Sequence, residues 1–157
     1  MIKIVYTFDP IKIPNNAPSI FLAGPTPRSI DVASWRPEAI SILESSNWGG
    51  EVYYPEYRIG TIPTDTYGEQ IEWEHRGLDS CDAILVWVPR ELKDMPSFTT
   101  NVEFGLYLKS DRLYYGRPDE SPKNGYLDYC YKKFTGRNPC SYLTDLVEQT
   151  IGSVKGE

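Results

Sequence analysis

CDAILVWVP, residues 81–89, decides the fold. Ala83 to Val88 are apolar without a break, and a strand with no polar alternation is one buried on both faces of a parallel sheet. The neighbouring segments extend that reading in both directions. Upstream, Thr66 with Glu69 three residues on has the capping-box spacing, and predicts a helix running to about Ser80. Downstream, RELKDMPSFT is a connecting loop, a helix is expected from about Asn101 to Lys109, and DRLYYGRP reads as another strand. Further out, EVYYPEY is a strand stopped by Pro55, and SIFLAG is a short buried strand ending in glycine. MIKIVYTF fits an edge strand.

Residues 34–46 read as a helix, with Ser34 as cap, Pro37 in the first turn, and Ala39, Ile40 and Leu43 on one face. IGTIPTDTYG, residues 59–68, is a loop, and YLTDLVEQTIGS makes a final helix after the tyrosine-rich NGYLDYCYKKF. The alternation of strands and helices predicts an α/β fold: one domain over residues 1–157, a mainly parallel five-stranded sheet flanked by helices, Rossmann- or flavodoxin-like. Ligands of such sheets sit beyond the carboxyl ends of the strands. The rule singles out the loops after FLAG, VYYPE and VWVP and the tail of LYYGRP.

Composition excludes several classes of function. Net charge is −6, so no broad basic face exists to neutralise a nucleic-acid polymer. Phosphate recognition would be local, through Arg28, Arg36, Arg90 or Arg117, with Arg28 preferred because its loop follows a buried strand. Three cysteines without C-x-x-C spacing indicate neither a disulfide framework nor a zinc site, and a single histidine leaves no multi-histidine metal site. MIKIVYTFDP lacks the apolar core of a signal peptide, and no run reaches membrane-spanning length. A cytoplasmic setting, no membrane partner and no metal or other cofactor are therefore expected.

Three segments carry candidate chemistry. FLAGPTPR places a Gly-Pro turn and Arg28 after a strand, where Gly24 would let backbone and ligand approach closely. Its spacing is neither G-x-G-x-x-G nor a P-loop, so a dinucleotide or triphosphate cradle is not supported. WEHRGLDSCD carries Glu72, Glu74, Asp79 and Asp82; the plainer reading is a solvated acidic helix with Asp82 as a turn residue. In TTNVEFG, residues 99–105, Glu103 stands three after Thr100, again a capping-box spacing. Glu103 is thus either a cap or a reagent. A first-turn carboxylate meets free N–H groups and the positive dipole end, which would keep it ionised and lower its pKa. Attack at an anomeric carbon needs such a carboxylate.

The ordered set FLAGP, WE…LD..CD, AILVWVP, TTNVEFGLY and YYGRPD, over about Ile20 to Asp128, resembles the nucleoside 2-deoxyribosyltransferase-like superfamily. The resemblance implies that Glu103 attacks C1′ of a nucleoside or nucleotide and forms a covalent glycosyl-enzyme. Another base, or water in the related nucleotide N-glycosidases, then takes the sugar. It implies that Glu74, eight before Asp82, binds sugar hydroxyls where relatives have Asp. Gly24, Pro25, Arg28, Asn101 and Trp87 complete the expected substrate-binding set. Two positions depart from the pattern. Ser97, six before Glu103, replaces the Asp that protonates the base, with His75 and Asp94 as the nearest substitutes. Ile20 stands where some relatives have a tyrosine that orients the nucleophile. The resemblance also implies a homo-oligomer, a dimer or higher, whose subunits complete each other's pockets. A fold of this kind equally permits a non-catalytic nucleotide-binding module.

Overall fold

The computed structural model describes residues 1–61 and 66–154, so part of the loop expected over 59–68 lies outside the described residues. Among the described residues five strands and five helices follow one another: β1 (Ile2–Tyr6), β2 (Ser19–Ala23), α1 (Arg36–Ser45), β3 (Gly50–Tyr54), α2 (Tyr67–Ser80), β4 (Ala83–Trp87), α3 (Phe98–Tyr107), β5 (Leu113–Gly116), α4 (Gly125–Thr135) and α5 (Leu143–Val154). A 3-10 turn, Leu108–Ser110, extends α3. All pairings are parallel, in the order β1-β3-β2-β4-β5, and β1 is an edge. Among the described residues no helix is long and apolar enough to cross a membrane.

The central strands β2 and β4 are buried at every position, as their unbroken apolar runs require. The two-residue period of a strand then divides their side chains between two cores. Phe21, Ala23, Ile84 and Val86 pack with Trp73, Leu78, Phe104, Leu127 and Tyr131 from α2, α3 and α4. Ile20, Leu22, Leu85 and Trp87 pack with Ala39, Ile40 and Leu43 of α1 and with Leu143, Leu146 and Val147 of α5. Each of the buried Val, Leu, Ile and Phe side chains among them contributes about 1.5–3 kcal/mol. Truncating Leu85, fully buried between strands and helices, would cost about 2–5 kcal/mol.

Two helix starts differ from expectation. Trp35, not Ser34, is the cap of α1; the Ser34 hydroxyl accepts weakly from the Arg36 N–H at 3.2 Å and donates to Glu56 at 2.7 Å. Helix α3 starts at Phe98, three residues earlier than expected. The chain pivots at Ser97, whose φ of 67° is left-handed, and no side chain caps the helix. Successive β-branched Thr99 and Thr100 argue locally for a later start, but tertiary hydrogen bonds to Pro96 and Asn101 override them. By contrast, the capping box of α2 is present in both directions between Thr66 and Glu69.

The strand order reverses at β2. The connection from β2 through α1 leads to β3 on one side, and the next connection through α2 returns to β4 on the other. The crevice between the carboxyl ends of β2 and β4 is the topological switch point of the sheet.

Candidate active site

A cleft of about 420 Å³ opens at that switch point, a size suited to a small molecule. Gly24, Pro25, Thr26 and Arg28 from the loop after β2 form one wall, and Pro55, Glu56 and Tyr57 after β3 another. Helix α2 presents Tyr67, Gln70 and Glu74; the segment after β4 contributes Met95 to Thr100, and α3 contributes Glu103. The Arg28 N–H donates to the Asp94 carbonyl at 3.0 Å and so joins the two loops across the crevice. Three of the four segments expected at this edge therefore build the cleft. The fourth does not: Arg117, after β5, pairs with Asp128 at 2.7 Å on α4, and no residue of its loop lines the cleft.

Glu103 lies in the cleft and is 9% exposed. Its expected capping box is absent, because Thr100 is already the third residue of α3 and Glu103 belongs to the second turn. The consequence for its charge is the reverse of that expected. Burial, and then the charge of Glu74, push its pKa up to about 8, against an opposing pull from Arg36. Glu74 is pushed up as well, by burial first, while Gln70 and Arg36 oppose the shift. Both carboxyls line the same cleft, and each acts on the other's charge. Two adjacent buried carboxyls cannot both ionise cheaply, so near neutral pH the pair holds one proton between them.

Of the four arginines proposed for an anion, three are engaged elsewhere. Arg36 is 1% exposed; it donates to the Leu22 and Gly24 carbonyls and to Thr26 Oγ1, and pairs with Glu56 at 2.7 Å. It is a strut under the loop after β2 and the cation nearest the carboxyl pair. Arg90 is buried against Pro96, Asn101 and Asn124, and Arg117 faces Asp128. Arg28 is exposed at the cleft, and its side chain has no hydrogen-bond or ion-pair partner among the described residues.

The structure brings Gly24, Pro25, Arg28, Glu74 and Glu103 to one cleft and leaves two expected members out. Asn101 does not line it; its Oδ1 accepts from Arg90 at 2.8 Å. Trp87 is 6% exposed and packs in the α1–α5 core, as its place in the strand alternation dictates. Gly24 is required by the fold itself: at its φ of +153°, a Cβ would stand 2.3 Å from the Trp87 carbonyl and 2.6 Å from the Trp35 ring. The neighbouring strand and the Trp35 ring thus both approach Gly24 closely.

Neither substitute acid reaches the site. His75 points into the groove on the outer side of α2, and Asp94 sits on the Glu91–Met95 turn with its N–H bound to Glu91. Ser97 does line the cleft, its hydroxyl donating to the Met95 carbonyl at 3.2 Å. Ile20 is fully buried on the opposite face of the sheet.

Several cleft residues escaped the sequence reading. Gln70 donates to Glu74 at 3.4 Å, and its i−4 spacing on the same helix face was an available signal. Thr100, 3% exposed, lines the cleft with a hydroxyl that has no partner among the described residues. Together with Phe98 and Thr99 it brings the first turn of α3, which no side chain caps, to the cleft. No local pattern signals that, because it depends on where the helix begins.

A family model described as nucleoside 2-deoxyribosyltransferase like matches residues 17–120, from the start of β2 to the loop after β5. No curated protein matches the chain.

Proposed function

The chain belongs to the nucleoside 2-deoxyribosyltransferase-like family, and from that premise we propose that it cleaves the N-glycosidic bond of a (deoxy)nucleoside by double displacement through Glu103. The observation that carries this reading is the buried pair Glu103–Glu74 at the switch-point cleft, holding one proton between two carboxyls. At rest that proton lies on Glu103, whose pKa is the one pushed up to about 8; its transfer to Glu74 when substrate binds gives both reagents the reaction needs. Ionised Glu103 attacks C1′; the C1′–N bond breaks and the base departs with its electron pair. The base takes the proton from Glu74, which fills the role left open by Ser97. In the second step an acceptor base attacks C1′, releases Glu103 and returns a proton to Glu74. Two inversions give net retention. In the same reading Glu74 also contacts the sugar, while Gly24, Pro25 and Arg28 wall the substrate.

A second reading, a nucleoside 5′-monophosphate N-glycosidase with water as acceptor, is favoured by one specific arrangement. Unpartnered Arg28, the unpartnered Thr100 hydroxyl and the open first turn of α3 share the cleft, and helix N-termini favour anions. One assay separates the two: deoxynucleoside with a second free base, against deoxynucleotide alone, following base release and base exchange. Exchange supports the transferase; free base from the nucleotide with no exchange supports the hydrolase. No base release from either would sink both.

The reading includes a homo-oligomer. Phe98, Val102 and Leu106 are exposed one turn apart along α3, and Phe98 stands at the cleft rim. An apolar stripe of this kind suits a subunit contact. Light scattering at micromolar concentration should give a mass of two chains or more, and a monomer would remove this part of the reading.

A further inference from the structure

The described residues contain two buried arginines. Arg36 has a carboxylate partner; Arg90, 6% exposed, has none. Its guanidinium donates only to neutral acceptors: the Pro96 carbonyl at 2.5 Å, Asn101 Oδ1 at 2.8 Å, and Asn124 Oδ1 at 2.8 and 3.2 Å. Burying a cation without a counter-charge is unfavourable unless its donors are well satisfied. Here they are, by a network that continues outward. Asn124 donates to Ser121 Oγ at 2.7 Å, Ser121 Oγ donates to the Val88 carbonyl at 2.7 Å, and the Arg90 N–H donates to Ser121 Oγ at 2.9 Å.

The positions bridged give the network its meaning. Ser97 is the cap of α3, so Pro96 is the residue before the cap and Asn101 the fourth residue of the helix. In many helices an apolar contact between those two positions fixes the angle at which the chain enters. Here a guanidinium from the start of the same β4–α3 loop joins them instead, and α3 has no capping side chain of its own. Asn124 ties the same group to the start of α4.

We propose that Arg90 is a positioning residue for Glu103: a polar clamp that sets the entry angle of α3 and with it the distance between Glu103 and Glu74. Arg90 does not line the cleft. It acts through Pro96 and Asn101, which flank the pivot at Ser97. The inference rests on Glu103 being the group that acts on substrate.

Arg90→Lys keeps the charge but cannot reach three acceptors in one plane. Asn101→Ala removes one arm and leaves the burial of Arg90 otherwise intact, so it remains informative if the lysine variant fails to fold. Two readouts are needed: kcat and KM for base release, and titration of the Glu103 carboxyl followed by carbon NMR of labelled glutamate. The expected result is a kcat about 10²-fold lower in Arg90→Lys with KM little changed, the scale of an ångström-sized misplacement, and a smaller fall in Asn101→Ala. The Glu103 titration should also move toward the ordinary carboxylate range as contact with Glu74 loosens, while Arg36, which acts on both carboxyls, and His75, which acts on Glu74 from the outer side of α2, stay in place. Unchanged kcat and unchanged titration in both variants, with only the melting temperature lowered, would overturn the proposal. Wild type that releases no base would defeat the functional reading instead, and the titration would still report on the clamp.

Discussion

Helices α2 and α3 each deliver one carboxyl to the cleft, yet they begin in opposite ways. Helix α2 opens with a reciprocal capping box, Thr66 with Glu69, written in four consecutive residues. Helix α3 has no side-chain cap, pivots at a left-handed serine, and is held by Arg90 from the start of the loop that leads into it. A locally capped start leaves few N–H groups free and little for a ligand to bind. An open start leaves first-turn donors without a side-chain partner, and shifts the task of holding the helix to a side chain outside it. Glu74 therefore rides on a self-contained helix, and Glu103 on one whose geometry the surrounding loops determine.

The largest effect should come from the α3 side. Glu103→Gln removes the nucleophile, and base release should fall on the order of 10⁴-fold or more, with ligand binding retained. If neither wild type nor variant releases base while both bind nucleoside, the chain is a binding module. The same substitution carries a pH signature. In the folded state Glu103 titrates near 8, above its ordinary 4.5, so the folded state holds that proton more tightly than the unfolded one. Stability is then full below about 4.5 and declines as pH rises toward 8. Glu103→Gln has no such proton to lose. Its thermal stability relative to wild type should rise over that window, and a gap constant with pH would show that the carboxyl is not held in this way.

On the α2 side, Glu74→Gln should lower base release by about 10²–10⁴-fold, the range for loss of a general acid. It also withdraws the second cause of the raised Glu103 pKa while leaving the first, burial, untouched. The acid limb of the rate profile should shift to lower pH without reaching the usual carboxylate range. An unmoved limb would mean that the two carboxyls do not share a proton.

A smaller effect is expected at the anion-facing wall. Arg28→Met should raise KM for a nucleoside 5′-monophosphate by roughly 10- to 100-fold, the worth of a hydrogen bond to a charged group, and leave KM for the free nucleoside nearly unchanged. Equal effects on both substrates would assign Arg28 to the wall in general, and would weaken the case that the open end of α3 receives a phosphate.

The contrast between the two helices also explains what could be read from the sequence. Unbroken apolar runs such as AILVW identify buried parallel strands, and strand order then brings the cleft to their carboxyl ends; these are short-range signals. The α2 start was legible for the same reason. The α3 start differs because the Thr100–Glu103 spacing points to a beginning at Asn101, whereas Arg90, at the start of the β4–α3 loop, holds Pro96 and Asn101 about a start at Phe98. That single displacement changed Glu103 from a first-turn carboxylate held ionised to a second-turn carboxyl sharing a proton. Sequence ranks Arg28 above Arg36 and Arg90 only by the place of its loop, and burial then distinguishes a strut and a clamp from an unpartnered cation. Trp87 faces the α1–α5 core because the strand alternation puts it on the same side as Leu85.

The smallest effect isolates local capping from chemistry. Thr66→Ala removes one half of the α2 capping box, in which the hydroxyl accepts from the Glu69 N–H at 3.2 Å and the Glu69 carboxylate accepts from the Thr66 N–H at 3.1 Å. The loss should be about 1 kcal/mol of stability, read as a lower denaturation midpoint at unchanged denaturant slope. Hydrogen exchange should quicken in the first turn of α2. Glu74 lies two turns further along the helix and is bonded there by Gln70, so kcat and its pH profile should hold. A change in the pH profile would mean that the start of α2, like that of α3, sets the spacing of the two carboxyls, and the distinction between a self-contained helix and a clamped one would fail.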